Sequence, residues 1–197
     1  MQISRYAVEL KGYDILLGGL PENTEALKYM ATAGESETAR EVLAEKEEEG
    51  EELIERAKCV FRRNQEGKPC VDEHHIKALF RETIKKLGEN RKGPLKGAWM
   101  AFHTCPYLLP VEGEMVEEIR AFRVWNPRPA SVVTIHEGIK APVIKFILEI
   151  HGLEIGEEKL EELLTYGGRY VGLGAGRGKS GIHGIFGLFN VVAFKKL

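Results

Sequence analysis

APVIKFILEIHGLEIGEEKLEELLTYGGRYVGLGAGRGKSGIHGIFGLFNVVAF, Ala141 to Phe194, decides the fold. Ile144, Phe146, Leu148 and Ile150 alternate with Lys145 and Glu149, the two-residue period of a half-buried strand. Gly152 ends that strand. Gly156 to Tyr166 reads as a short helix with Leu160, Leu163 and Leu164 on its inward side. A glycine-rich segment follows, and IFGLFNVVAF closes the chain as an apolar strand. Strand, helix, glycine loop and strand over 142–194 make the second half of a ferredoxin-like (RRM-like) split β–α–β fold.

Working outward, Tyr6, Val8 and Leu10 alternate with Ala7, Glu9 and Lys11, which predicts a first strand ended by Gly18-Gly19. Pro21 to Ala33 reads as a short helix, and Ser36 opens a longer helical pattern to about Arg63. Asp72 is placed to cap a further helix with a one-sided stripe of Ile76, Leu79, Phe80, Ile84 and Leu87. AWMAFHTCPYLLP, broken by Pro106, and EEIRAFRVWNP, ended by Pro127, read as strands. The expectation is therefore one α+β domain over 1–197. It has an antiparallel sheet core, a helical insertion at about 21–90, and the glycine loop within 142–194.

The bulk numbers exclude several classes. The chain has 197 residues, 43 % hydrophobic and 29 % charged, an ordinary globular composition. No apolar run approaches the roughly 18 residues that cross a bilayer. No basic-then-apolar leader opens the sequence. Cys59, Cys70 and Cys105 lie far apart without a C-x-x-C, which predicts reduced, buried thiols and a cytoplasmic setting. Net charge is only −2, but its distribution is uneven: 21–66 holds thirteen acids against seven bases, and Leu163–Leu197 holds five bases and no acid. Local fields of this kind steer polyanions. Glu- and Lys-rich, amide-poor usage leans towards a thermophilic source.

Tyr166 to Phe189 contains nine glycines. Glycine gives up the most backbone freedom on folding, so the run needs a reason. Gly178-Lys179-Ser180 resembles the end of a P-loop, but the first glycine of that motif falls on Leu173 and no helix follows to supply converging amides. Gly176, Gly178 and Gly181 match a dinucleotide-binding spacing, again with no helix and no acid downstream. Two readings remain. The loop is a structural turn, or it is a bare backbone surface on which a phosphodiester chain lies.

The same residues carry a family resemblance. Gly172-Leu173-Gly174, then Arg177 or Lys179, then Gly184 to Gly187 resemble the C-terminal motif G-h-G-x-x-[RK]-x-x-G-x-G of the RAMP superfamily of CRISPR-associated RNA-binding proteins. VDEHHIKALFRETIKKL is similar to a helix of that family bearing h-K-G-x-h-R. Ile76, Lys77 and Arg81 match it, and Ala78 stands where the family has glycine. The resemblance spans about 70 of the 197 residues and looks closest to small glycine-tailed proteins of phages and archaeal viruses. It implies a ferredoxin-like fold, binding of single-stranded RNA or DNA, and self-association along the strand. In some members it implies metal-free RNA cleavage by a histidine.

The expected contacts with nucleic acid follow. Arg169, Arg177, Lys179 and Ser180 in the glycine stretch would meet phosphates. Lys77 and Arg81, one helical turn apart, would line the same groove, and Arg128 sits at a strand end. Trp125, Tyr170 and Phe122 are candidates to stack bases. Against each stands an ordinary reading, a solvated cation or a core aromatic. Six histidines show no metal-ligand spacing, so neither metal nor cofactor is expected. His183 and His136 are the alternatives for an acid–base role. The reading is a non-enzymatic single-stranded nucleic-acid binder, with an endoribonuclease and a partner-binding protein as the other classes.

Overall fold

A computed structural model describes residues 2–21, 58–88, 95–125, 129–175 and 186–197, with the backbone alone for 21 and 120–134. In chain order these form strands β1 (Ile3–Gly12), β2 (Ile15–Leu17), β3 (Leu20–Pro21), β4 (Cys59–Val60), β5 (Arg62–Arg63) and β6 (Pro69–Asp72). Helix α1 (Glu73–Lys86) follows, then a 3-10 turn at Ala98–Ala101, β7 (Phe102–Cys105), β8 (Leu108–Trp125), β9 (Pro129–His151), helix α2 (Glu157–Tyr170) and β10 (Phe189–Lys196).

The centre of the sheet is β10, β1 and β9, with β7 and β8 in succession along the far side of β9, all antiparallel. α1 follows β6, which pairs with β8, and precedes β7, and α2 connects β9 to β10. That order is the α+β, ferredoxin-like arrangement read from the sequence. Tyr6, Val8 and Leu10 of β1 and Ile144, Phe146, Leu148 and Ile150 of β9 are buried, as the two-residue period requires. They pack beneath Ile76, Leu79, Phe80 and Ile84 of α1 and Leu160, Leu163 and Leu164 of α2. Phe80 meets Phe102 at 4.1 Å between ring centroids. Full burial of one such side chain contributes about 2 kcal/mol.

Several sequence expectations shift. β1 does not run on to Gly18-Gly19. It breaks after Gly12 and resumes as β2, still paired with β9. The helical pattern expected as far as Arg63 ends in strands β4 and β5. Most of the stretch expected as a helical insertion, 22–57 and 89–94, lies outside the described residues. α1 itself belongs to the pair of helices that packs on the sheet. Asp72 stands at the N-cap position but makes no capping bond, accepting instead a 3.1 Å hydrogen bond from Arg62. Of the three thiols, Cys105 is exposed, because it lies on the sheet face away from the helices. No described helix is long and apolar enough to cross a membrane.

Candidate nucleic-acid interface

The glycine segment divides in two. Helix α2 does not stop at Tyr166; it continues through Gly167, Gly168 and Arg169 to Tyr170. The two glycines let α2 sit close to its neighbours. A Cβ on Gly167 would lie 2.8 Å from Thr83 Oγ1 of α1, and one on Gly168 would lie 2.3 Å from the Phe189 carbonyl oxygen of β10. Gly172, Gly174 and Gly187 are equally crowded, a Cβ on Gly174 falling 2.6 Å from the Leu17 carbonyl oxygen. Main-chain bonds then tie both ends of the loop to β2. Leu173 N–H donates to Gly187 (2.9 Å), Gly187 N–H to Ile15 (2.9 Å) and Ala175 N–H to Leu17 (3.0 Å). For these five glycines close packing against the protein itself is the reason, and the bare-ledge reading does not apply to them. Gly176, Gly178, Gly181 and Gly184, with Arg177, Lys179, Ser180 and His183, lie outside the described residues.

A second feature is a two-stranded ribbon. β9 is paired on its other side by β1 from Val143 to His151, by β2 from Gly138 to Lys140 and by β4 at His136. From Ile119↔Ile135 to Trp125↔Pro129, β8 and β9 pair only with each other among the described strands. At about 3.3 Å per residue this ribbon reaches roughly 20 Å beyond the sheet. β-branched and aromatic residues (Phe122, Val124, Val132, Val133, Thr134) suit it to extended backbone. The run from Ile119 to Ile135 contains Arg120, Arg123 and Arg128, the aromatics Phe122 and Trp125, and no acid. Trp125 pairs with Pro129 at the ribbon's end, and Arg128 lies outside the described residues. Arg120 and Arg123 were not singled out in the sequence, where EEIRAFRVWNP read only as a strand ended by Pro127. The available signal was the long acid-free run spanning two strands.

The remaining candidates do not converge. Lys77 Nζ lies 2.6 Å from Glu73 Oε1 and 3.2 Å from His103 Nδ1, so its charge is spent within the protein. The Arg81 guanidinium lies 5.7 Å over the Trp99 ring. At 3.6 residues per turn, Lys77 and Arg81 occupy the flank of α1 opposite Leu79 and Thr83, which meet α2 at Gly167. Arg169 therefore does not share a groove with them; it borders a shallow hollow with Glu158, Glu161 and Glu162. Tyr170 is exposed at the end of α2, its ring 4.7 Å from Tyr166, and its carbonyl accepts a 2.8 Å bond from Lys86. It stands on the helix side, not on the sheet. The sheet face opposite the helices carries Arg5, Glu9 and Lys11 of β1, Lys145 and Glu149 of β9 and Lys195 of β10, as the register dictates. Among the described strand residues of β1, β9 and β10 on this face there is no Phe, Tyr or Trp, but Tyr13, between β1 and β2, is exposed and its hydroxyl donates to Asn190 Oδ1 on this side. His136 is 5 % exposed, and its Nδ1–H donates to the Gly18 carbonyl at 2.7 Å. An imidazole so placed holds the β2–β3 turn and does not reach a substrate phosphate. Among the described residues no His, Cys, Asp or Glu group is arranged to hold a metal ion.

A charged row crosses the end of the sheet. Glu73, on the first turn of α1, is buried and accepts from Lys77 and from the Thr104 N–H at 2.9 Å. Burial pushes this carboxyl up, but the Lys77 and Thr104 hydrogen bonds, with the charges of Lys77 and His103, outweigh it and hold it below the usual range. Glu149 is likewise held low, by the His151 hydrogen bond first and then by Arg5, against a smaller effect of burial.

No protein-family model and no curated protein sequence matches the chain. Its fold, however, is shared. The cryo-EM structure of the Type III-B Cmr-beta bound to cognate target RNA contains a chain that superposes with a TM-score of 0.56 at 13 % identity, covering 100 % of this chain and 61 % of that one. This chain thus spans less than two thirds of its neighbour's length. At that identity the match shows a common α+β architecture.

Proposed function

We propose that this protein binds single-stranded RNA as a RAMP-type protein and performs no chemistry on it. The observation that carries the reading is the β8–β9 ribbon beyond Ile119↔Ile135, which pairs with no third described strand, in a stretch of sequence, Ile119 to Ile135, that holds Arg120, Arg123 and Arg128 and no acid. Three arginines and two aromatics on an extended strand pair offer what a flexible polyanion needs, cations for phosphates and rings for bases. The neighbour of like fold was solved bound to cognate target RNA, which supports RNA over DNA. Arg177, Lys179 and Ser180, in the stretch of sequence between Ala175 and Phe186, add a second set of phosphate contacts. Arg81, Arg169 and Tyr170 are peripheral, and Lys77 serves the fold. Successive copies along one strand fit a ribbon that extends beyond its own domain.

Gel shifts with single-stranded RNA, single-stranded DNA and duplex test this. Tightest binding to single-stranded RNA is expected, weakened by Arg177→Ala with Lys179→Ala. Equal affinity for all three nucleic acids, or none for any, would refute it.

A further inference from the structure

We propose that His103, His151 and Lys96 form a phosphate-binding site at the end of the sheet. His103 of β7 and His151 of β9 lie side by side, ring centroids 4.5 Å apart and tilted 35°. They border a hollow of about 430 Å³ with Lys96, Gly97, Met100 and Leu153. One nitrogen of each ring is held by charged neighbours, His103 Nδ1 at 3.2 Å from both Glu73 Oε1 and Lys77 Nζ and His151 Nε2 at 3.2 Å from Glu149 Oε2. A ring anchored at one nitrogen has a set orientation, and its other nitrogen is the one left to address a ligand.

The charge balance favours an anion. Glu73 is already paired with Lys77 of α1 at 2.6 Å, and Glu149 with Arg5 of β1 at 2.9 Å. The two carboxylates and these two cations cancel. What remains facing the hollow is Lys96, together with any proton taken up by either imidazole. Two such imidazoles 4.5 Å apart repel when both are protonated, and an anion carrying up to two negative charges relieves that repulsion. Phosphate, with tetrahedral oxygens that accept from several donors at once, has the chemistry for it. Binding strengthens as pH falls through the range where imidazole gains its proton. The phosphate comes either from nucleic acid or from a small phosphate ester. The site rests on its own geometry and does not require the RNA reading.

The test is a titration of isotope-labelled protein with inorganic phosphate, following the imidazole resonances by NMR at about pH 5.5 and about pH 8. Saturable shifts of both rings at the lower pH, faded at the higher, are expected. Lys96→Ala, an exposed position, should weaken them about fivefold. His151→Gln should make the pH dependence shallower, with His103 alone remaining. Shifts that never saturate, or that are unchanged in Lys96→Ala, would overturn the site. Oligoribonucleotides with and without a 5′-phosphate separate the sources: competition by both assigns an internal phosphate, by the phosphorylated one alone an end phosphate, and by neither a small ester. RNA binding in a protein whose rings do not shift with inorganic phosphate would sink this site and leave the RNA reading standing.

Discussion

Gly187 and Leu173 close on each other so tightly that a Cβ on Gly187 would lie 1.9 Å from the Leu173 carbonyl oxygen. Gly187 also has φ +69°, a conformation other L-residues adopt at a cost. Gly187→Ala should therefore lose at least about 3 kcal/mol in urea unfolding. Gly156, with φ −64° and nothing within 4 Å of an added Cβ, is the control. Gly156→Ala should change stability by less than about 0.5 kcal/mol. Similar losses at both positions would contradict the packing account of the glycines.

The charged row predicts an acid transition. Glu73 and Glu149 have folded-state pKa values below their ordinary ones. Their contribution is then fully present above the unfolded value of about 4.3 and is lost as pH falls through the lower folded values. Stability should drop below about pH 4.3, and the drop should be shallower in Glu73→Gln. At neutral pH Glu73→Gln should itself cost about 2 kcal/mol, because Lys77 and the Thr104 N–H keep a weaker acceptor. Denaturation midpoints across pH check both; a steeper acid loss in the variant would count against the assignment.

His136 is assigned to the fold. His136→Ala should cost about 1.5 kcal/mol through the lost Gly18 bond and a small void, while RNA affinity measured on the folded variant stays unchanged. A large change in affinity at intact stability would restore a functional role to this ring.

At the ribbon's end, Trp125→Ala should weaken RNA binding by about tenfold, the value of roughly one stacked base. Thermal unfolding should be little affected, since among the described strands β8 and β9 pair there only with each other. If the variant melts early but binds as before, Trp125 packs against its own protein.

Much of the fold was legible. The alternation of Ile144, Phe146, Leu148 and Ile150 gave β9 its inward face, and the stripe Ile76, Leu79, Phe80 and Ile84 gave α1, because both periodicities follow from which side must leave water. The end of α2 was misread. Glycine argues for a stop by propensity, yet Gly167 and Gly168 continue the helix because Thr83 and Phe189 leave no room for a Cβ. That is a tertiary requirement no local pattern carries. The same limit hid the pairing of His103 with His151, forty-eight positions apart in sequence and brought together by adjacent strands. The ribbon was half legible. Its composition was in plain view, but that its outer half has no third described strand beside it depends on where β1, β2 and β4 end.

The salt dependence of RNA affinity tests the central claim most directly. Fluorescence anisotropy with a labelled single-stranded RNA, repeated across a salt series, gives the slope of log Kobs against log salt. Each phosphate contact contributes about −0.7 to that slope, so Arg120→Ala with Arg123→Ala should make it shallower by about 1.4. An affinity insensitive to salt, or a double variant with the wild-type slope, would contradict the ribbon as the place where the strand lies.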